Sequence, residues 1–209
     1  MPRNAAFTRA RRVLNATLML RPLLLAVVTV AASACTRSLP KYERPIARAQ
    51  FQTVRTTAYT HTESDHIEHG RKTCLGTHLR CGAVKSAAAD WSRWPAGTMF
   101  RILATGEVFE VDDIGWAISG RNTIDLYKPS REAMNRWGVR MVDIQILRWG
   151  DDSQSLAVLR KRCKYAHCRR MSDDLEKRIA RGETNPEVSA IAAAVMVPES
   201  GGGLRRKGP

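Results

Sequence analysis

Alternating hydrophobic and polar residues mark several short segments in the middle of the chain. In residues 139–148, Val142, Ile144 and Ile146 fall on one face of an extended chain, with Asp143 and Gln145 on the other. This is the pattern of a half-buried β-strand. Other short runs are rich in threonine, valine and aromatic residues, a composition typical of strands. The predicted strands are residues 51–59, 99–103, 108–111 and 139–148.

Helical patterns occur mainly towards the C-terminal end. Ser130 is a suitable N-cap for a short helix that Gly138 ends. Residues 155–165 and 173–182 predict two more helices, the second opened by a capping box of Asp173 and Glu176. Short strands with a small helix fit a closed barrel better than a sandwich. The predicted fold is therefore mainly β, a small barrel with a short helix, followed by a helical C-terminal extension.

The first 34 residues have the features of a signal peptide. A basic start is followed by an apolar run of about ten residues, 23–32, which is too short to cross a bilayer. Small residues precede Cys35, as in the lipobox of bacterial lipoproteins, so Cys35 is predicted to be lipidated. Ordinary cleavage after Ala34 is the alternative. Either way, the protein is expected to be exported to the cell envelope.

The remaining sequence divides by composition. Residues 35–50 contain two prolines and scattered charge and predict a tether. The β-rich pattern of residues 51–150 predicts the barrel domain, and residues 151–195 its helical extension. Residues 196–209 are rich in glycine and charge and predict a disordered tail.

The chain is strongly basic. Its formal net charge is +14, and removal of the five arginines of the signal peptide leaves about +9. An exported protein with this charge is expected to bind anionic envelope surfaces, including peptidoglycan carboxylates and lipid headgroups. Nucleic acid would be the expected partner of a cytosolic chain, and export argues against it.

Four further cysteines lie within the predicted domain and its extension. An even number in an exported chain predicts two disulfides, in one of three pairings. Local pairing and cross-pairing both stay open. A zinc site that also uses nearby histidines is disfavoured, because the C-x6-C and C-x4-C spacings are longer than zinc sites prefer. The cysteines are Cys74, Cys81, Cys163 and Cys168.

Histidines also cluster in the polar segment of residues 61–80, which predicts a long loop. The three are His61, His66 and His69. Solvated loop histidines are commoner than ligands in such a segment, so no metal or other cofactor is predicted.

Three segments between Thr57 and Trp149 carry the most specific signal. They are AADWSRWPAGTMFRI at residues 88–102, EVDDIGWAISGRNTIDLY at residues 110–127 and EAMNRWGVRMVDIQIL at residues 132–147. Together with Thr57-Ala58-Tyr59 they resemble the three-aspartate (3D) domain of membrane-bound lytic transglycosylases and stationary-phase-survival-type wall enzymes. The resemblance covers a little under half of the chain.

The resemblance implies a double-psi β-barrel that cleaves peptidoglycan glycan strands. The family's three aspartates fall on Asp90, Asp113 and Asp125. Asp113 is the predicted general acid and base, with Asp90 and Asp125 positioning sugar hydroxyls or tuning its pKa. The predicted substrate-binding residues are Thr57, Tyr59, Gly115 and Trp116. Gly97 and Gly120 are predicted to adopt positive φ.

The residues around Asp113 suggest its role independently. A strand period of two puts Asp113 on the apolar face of Phe109 and Val111, and turns Asp112 towards solvent. Partial burial raises the pKa of a carboxyl group, and a general acid needs a pKa near neutrality. The structural alternative is that Asp90 caps a turn and Asp125 holds a loop.

Departures from the family pattern leave a second function open. The family's D-T-G-G-A-I-K-G reads DIGWAISG here, with Ile114, Trp116 and Ser119 at the changed positions. These changes reshape the expected pocket. The alternative prediction is a non-catalytic peptidoglycan-binding or structural envelope lipoprotein with the same barrel.

Overall fold

The structure is a computed structural model that describes residues 38–63, 67 and 70–183. The chain forms two compact units, Met1–Ser38 and Leu39–Pro209, and nearly all of the first lies outside the described residues. The described residues do not include the predicted signal peptide, the predicted lipidation site Cys35, the predicted tail, His66 or His69. The barrel and the helices belong to the second unit.

Six strands within the described residues close into a barrel. They are β1 (Phe51–Tyr59), β2 (Val84–Ala88), β3 (Met99–Ile102), β4 (Val108–Asp113), β5 (Thr123–Tyr127) and β6 (Arg140–Arg148). Around the barrel their order is β1-β5-β2-β4-β3-β6. β1 pairs parallel with β5 and β2 with β4, and the other neighbours are antiparallel. The prediction of a mainly β barrel is confirmed at this level.

The sequence pattern found four of these strands and missed two. β2 reads VKSAA and β5 reads TIDLY, each only five residues long. β2 ends in two alanines, and β5 carries a central aspartate, so neither shows a strong alternation of large apolar residues. Both strands owe their place to pairing with distant parts of the chain, which a local pattern does not record.

Three α-helices lie among the described residues: α1 (Arg131–Trp137), α2 (Asp152–Lys161) and α3 (Ala166–Ala180). The Ser130 side chain accepts the backbone N–H of Ala133, and Gly138 ends α1 with φ +62°, as predicted. None of the helices in this part of the chain is both long and apolar enough to span a membrane.

The predicted capping box at the start of the last helix is wrong. Asp173 and Glu176 lie in the interior of α3, which begins at Ala166. Cys168, Met171 and Leu175 recur at helical spacing and are all buried. The helix continues through the predicted boundary, because this apolar stripe packs on the core over about two turns.

Two clusters of buried residues hold the domain together. The larger fills the barrel with residues such as Phe100 and Phe109, whose rings stack with centroids 5.6 Å apart. Leu159 of α2 and Met171 of α3 belong to the same cluster, so the helical extension shares the barrel's core. The smaller cluster lies on the outward face of β2. It consists of Tyr59, Ala88, Ile118 and Tyr127, with Leu79 packed against it.

The prediction of two disulfides is corrected by the structure, in which all four cysteines are free thiols. Cys74 and Cys168 are buried, whereas Cys81 and Cys163 are exposed. Each local pair thus has one buried and one exposed cysteine. Burial raises the pKa of Cys74 to about 12 and that of Cys168 to about 11, so both remain protonated.

Candidate functional site

Strand order brings two of the three predicted aspartates into one row. Ala88 of β2 pairs with Asp113 of β4 on one side and with Asp125 of β5 on the other. Thr57 of β1 pairs with Asp125. Directly opposed residues point to the same face of a sheet. Because Asp113 and Asp125 lie two strands apart, their Cα atoms are separated by roughly 10 Å.

A β-bulge decides which face Asp113 occupies. Ala87 pairs with Val111, but the next residue, Ala88, pairs with Asp113, so Asp112 is an extra residue in β4. The prediction that Asp113 shares the face of Val111 is therefore wrong. The bulge places Asp113 on the face of Ala88, together with Tyr59. It re-aims the carboxyl group away from the main core.

Asp112 is buried rather than exposed, so its predicted orientation towards solvent is also wrong. Asp112 is only 2% exposed. Its Oδ2 accepts hydrogen bonds from Ser86 Oγ at 2.7 Å and Arg80 Nη2 at 2.8 Å. Arg80 also contacts Glu110 at 3.1 Å. Burial raises the pKa of Asp112, and the bonds from Ser86 and Arg80 oppose this. Asp112 is thus held in a structural ion pair.

Asp113 lies in a nearly closed environment with three hydrogen-bond donors. Its Oδ1 accepts the backbone N–H groups of Cys74 at 2.8 Å and Ile114 at 3.0 Å, and its Oδ2 accepts the Tyr59 hydroxyl at 3.1 Å. The residue is 5% exposed. Burial outweighs these bonds and raises the pKa of Asp113 to about 6. The predicted rise towards neutrality is confirmed.

The hydrogen bonds also distinguish the two oxygens of Asp113. Both donors to Oδ1 are backbone N–H groups, which always donate and so keep Oδ1 an acceptor. Among the described residues, the hydrogen-bond partner of Oδ2 is a hydroxyl, which can rotate to donate or accept. Oδ2 is therefore the oxygen suited to carry the proton of the neutral acid.

The raised pKa of Asp113 predicts a pH-dependent loss of stability. The folded protein binds this proton more tightly than the unfolded chain, so its stabilising effect is present below pH 4 and is lost as pH rises to about 6. A pKa difference of about two corresponds to about 3 kcal/mol. Urea unfolding at pH 4 and pH 7 measures this for the wild type and for Asp113→Asn. Because the unfolded carboxyl group is already partly ionised at pH 4, the wild type should lose about 2 kcal/mol more than the variant between these two pH values.

The comparison with the variant isolates Asp113, because the buried Asp90 and Asp112 also have raised pKa values and are common to both proteins. An equal change in the two proteins between pH 4 and pH 7 would contradict the prediction.

Several aromatic side chains lie near Asp113 on the same face of the barrel. The rings of Tyr59 and Tyr127 meet edge to face, with centroids 5.6 Å apart. His61 Nδ1 lies 2.9 Å from the Tyr127 hydroxyl, and Arg71 Nε donates to His61 Nε2 at 3.3 Å. A buried Tyr127 thus connects Tyr59 to His61.

Tyr59→Phe is expected to raise the pKa of Asp113 further. The Tyr59 hydroxyl favours the charged carboxylate, so its removal favours the protonated form. Carbon-13 NMR titration of the Asp113 carboxyl group measures the change, expected to be roughly 0.5 to 1 in pKa for one neutral hydrogen bond. Tyr42→Phe is the control, since that hydroxyl bonds to Asp174 instead. A shift of the Asp113 pKa downwards in Tyr59→Phe would contradict the assignment of donor and acceptor.

Asp125 stands at the other end of the row and is more accessible. Its Oδ1 accepts the Thr57 hydroxyl at 2.7 Å, and both residues are half-buried. Asp125 also acts electrostatically on Tyr59, whose pKa is raised mainly by burial and then by Asp113. The structure thus brings Thr57, Tyr59, Asp113 and Asp125 to one face of the barrel.

Asp90 lies elsewhere and is fully enclosed. It is 0% exposed, and its Oδ1 accepts Ser92 N at 2.9 Å and Ser92 Oγ at 2.6 Å. Its Oδ2 accepts Gly120 N at 2.5 Å and lies 3.9 Å from Arg93 Nε. The backbone carbonyl of Asp90 also accepts the N–H groups of Arg93 and Trp94. With no exposed oxygen, Asp90 positions the turn and the Gly120 loop.

The loop between β4 and β5 carries the remaining predicted ligand contacts. Gly115 stands next to the side chain of Ile118, which a Cβ would approach to 3.3 Å. Trp116 is half-buried at the start of a short 3₁₀ helix, Trp116–Ile118. The positive φ predicted for Gly97 and Gly120 is confirmed, at +88° and +74°.

Sequence reasoning missed Tyr127 and the backbone of Cys74. Tyr127 follows Asp125 by two residues, so a strand period of two could have placed it on the same face once β5 was known. The contact of Cys74 N with Asp113 joins residues 39 apart in the sequence and leaves no local signal. Within the described residues, no group of three or more His, Cys, Asp or Glu side chains lies close enough together to hold a metal ion.

No protein-family model matches this chain, and no curated protein sequence matches it. The function is therefore argued from the geometry of the row and from the resemblance in its motifs.

Proposed function

We propose that this protein is a lytic-transglycosylase-like enzyme that cleaves the MurNAc-GlcNAc strand of peptidoglycan. The observation that carries the proposal is Asp113, a buried carboxyl group with a pKa of about 6 that offers one oxygen for proton exchange. Near neutral pH a useful fraction of such a group is protonated, and it can act as an acid and then as a base. The second carboxylate, Asp125, lies in the same row.

In the proposed reaction Asp113 Oδ2 gives its proton to the glycosidic oxygen, and the bond from that oxygen to C1 of the muramic acid breaks. The C6 hydroxyl of the same sugar then bonds to C1, and its proton returns to Asp113. The product is a 1,6-anhydro sugar and no water is consumed. One carboxyl group therefore suffices, unlike in glycosidases that need a pair at a fixed separation.

The other residues of the site have positioning roles in this proposal. Asp125 accepts hydrogen bonds from sugar hydroxyls while Thr57 orients its carboxylate. Tyr59 holds Oδ2 of Asp113, and the half-buried Trp116 offers an aromatic surface for a sugar face. Asp90 acts indirectly, since it holds Gly120 at the end of the same loop.

The fold and the location belong to the same proposal. A closed six-stranded barrel with two parallel pairs within the described residues supports a double-psi arrangement. The motif resemblance and the signal-peptide pattern support a lipoprotein of the cell envelope, anchored through Cys35.

Digestion of purified peptidoglycan by the full chain, followed by mass spectrometry of the soluble products, tests the proposal. Muropeptides that end in a 1,6-anhydro sugar are the expected result. Products with a reducing end would indicate hydrolysis by water and would overturn the mechanism.

One observation favours a second candidate, a non-catalytic peptidoglycan-binding protein with the same barrel. Asp113 is only 5% exposed and its carboxyl group already accepts three hydrogen bonds, as a structural carboxylate does. In that case the protein co-sediments with peptidoglycan and releases nothing. Asp125 and Trp116, the more accessible residues, would then supply the contacts.

A further inference from the structure

A small cavity lies against the last turns of α3, away from the row of aspartates. Its volume is about 50 Å³. It is bounded by one face of the helix, by the segment before β1 and by the turn that follows Asp90. The lining residues are Tyr42, Pro45, Ser92, Asp174, Lys177, Arg178 and Arg181.

Arg178 is the most unusual residue of the cavity. It is 6% exposed, and its Nε has no hydrogen-bond partner among the described residues. The nearest acid, Glu183, lies 3.8 Å from Nε, which is beyond hydrogen-bonding distance. A buried guanidinium without a hydrogen-bonded counter-charge is costly. Burial lowers the pKa of Arg178, and the neighbouring Arg48 lowers it further.

Two of the three acids around the cavity, Asp152 and Glu183, are held by other cations. Arg48 binds both oxygens of Asp152, at 2.7 and 2.6 Å. Arg181 holds Glu183 at 2.6 Å.

Asp174 is less fully engaged. It lies beside the Tyr42 hydroxyl and 3.7 Å from Lys177, and its buried Oδ2 has no hydrogen-bond partner among the described residues. The four cations Arg48, Lys177, Arg178 and Arg181 thus face three acids, Asp152, Asp174 and Glu183, so one positive charge lacks a counter-ion.

The size of the cavity matches a small ion. A buried water needs about 10 to 15 Å³ of such volume, so the cavity has room for about four water-sized groups. A carboxylate with its adjoining carbon has four non-hydrogen atoms. Lys177 and Arg181, whose side chains are more than half exposed, also line the cavity.

We propose that this cavity is a binding site for a carboxylate ion, with Arg178 donating from Nε and with Lys177 and Arg181 contributing positive charge at its entrance. A monovalent ion balances the local charge, whereas Asp174 repels a divalent phosphate more strongly than a monovalent carboxylate. The site does not depend on the proposed enzymatic function. Ser92, which lines the cavity, is also the residue whose hydroxyl donates to the Asp90 carboxylate.

Nitrogen-15 NMR of the arginine Nε–Hε groups of the full chain tests the proposal, with sodium acetate as the probe and sodium chloride replacing it at constant ionic strength. The Arg178 signal should shift and saturate in the millimolar range. The signal of Arg136, an exposed arginine near the end of α1, should not saturate. Absence of a saturable Arg178 shift would overturn the proposal, and a larger effect of phosphate than of acetate would overturn its assignment to a carboxylate.

Variants of the two arginines provide a second readout. Arg178→Met keeps the length of the side chain and removes its charge, and an apolar replacement of a buried ion is usually tolerated. Acetate should raise the Tm of the wild type and of Arg136→Met, because a ligand of the folded state stabilises it. It should not raise the Tm of Arg178→Met relative to chloride. An equal rise in all three proteins would overturn the site.

N-acetylalanine, as a model of a peptide carboxyl terminus, identifies the source of the carboxylate. Saturation at lower concentration than acetate assigns the site to a chain end. Saturation at equal concentration assigns it to a free small acid.

Discussion

Asp113→Asn is expected to abolish peptidoglycan cleavage while it leaves the fold intact. The asparagine amide oxygen can accept the backbone N–H groups of Cys74 and Ile114, and its NH₂ group can donate to the Tyr59 hydroxyl. The variant thus reproduces the hydrogen bonds of protonated Asp113, but its amide has no acidic proton to transfer near neutral pH. General acid–base catalysis contributes about 10² to 10⁴ in rate, so the loss should be at least a hundredfold.

The rate is measured as the release of 1,6-anhydro muropeptides, and unfolding in urea is measured in parallel. Asp143→Asn is the matched control, because the side chain of this exposed aspartate on β6 accepts the Thr53 hydroxyl at 2.6 Å, a bond that the asparagine oxygen can also accept. Cleavage at the wild-type rate by Asp113→Asn would remove Asp113 from the mechanism. If the wild type and Asp113→Asn bind peptidoglycan equally well and neither cleaves it, the binding function would be favoured.

The strands with large alternating side chains could be predicted from the sequence, and β2 could not. The pattern of Val142, Ile144 and Ile146 records burial directly, since each side chain contributes to the core. β2 ends in Ala87 and Ala88, which are small because neighbouring elements pack closely on both faces. Small residues of this kind have no strong preference for a strand, so the local signal is weak.

The site could be predicted in part. A raised pKa for Asp113 followed from its partial burial, but the face on which it lies did not. That face depends on the bulge at Asp112. A strict strand period of two assumes no extra residue, so it does not predict the bulge. The placement of Asp113 and Asp125 in one row depends on β2 lying between β4 and β5, a consequence of barrel topology alone.

The three aspartates of the motif therefore have different physical roles, although the sequence presents them as one set. Asp113 is buried with one exchangeable oxygen, and Asp125 is half-buried beside Thr57. Asp90 has both oxygens filled by local donors. Substitution by asparagine, the same change at each position, separates these roles because an amide replaces only one of the two acceptors.

Asp90→Asn is expected to cost about 3–5 kcal/mol of unfolding free energy, the range for removal of one partner of a buried ion pair. Asparagine can accept the Ser92 donors on its oxygen, but its NH₂ group then faces the N–H of Gly120, which donates to Asp90 at 2.5 Å in the wild type. Two donors face each other and one stays unsatisfied. Arg93, which is buried, also loses its carboxylate at 3.9 Å.

Urea unfolding at pH 7 measures this loss, with Asp143→Asn again as the control, which should lie within about 0.5 kcal/mol of the wild type. Gly120 is buried, so its N–H has no access to water once the bond to Asp90 is lost, and the penalty is expected as lost stability. A variant as stable as the wild type but unable to cleave peptidoglycan would contradict this and assign Asp90 to the chemistry. At pH 7 Asp113→Asn should show the opposite behaviour, retained stability with lost cleavage, because it removes a charge that burial disfavours.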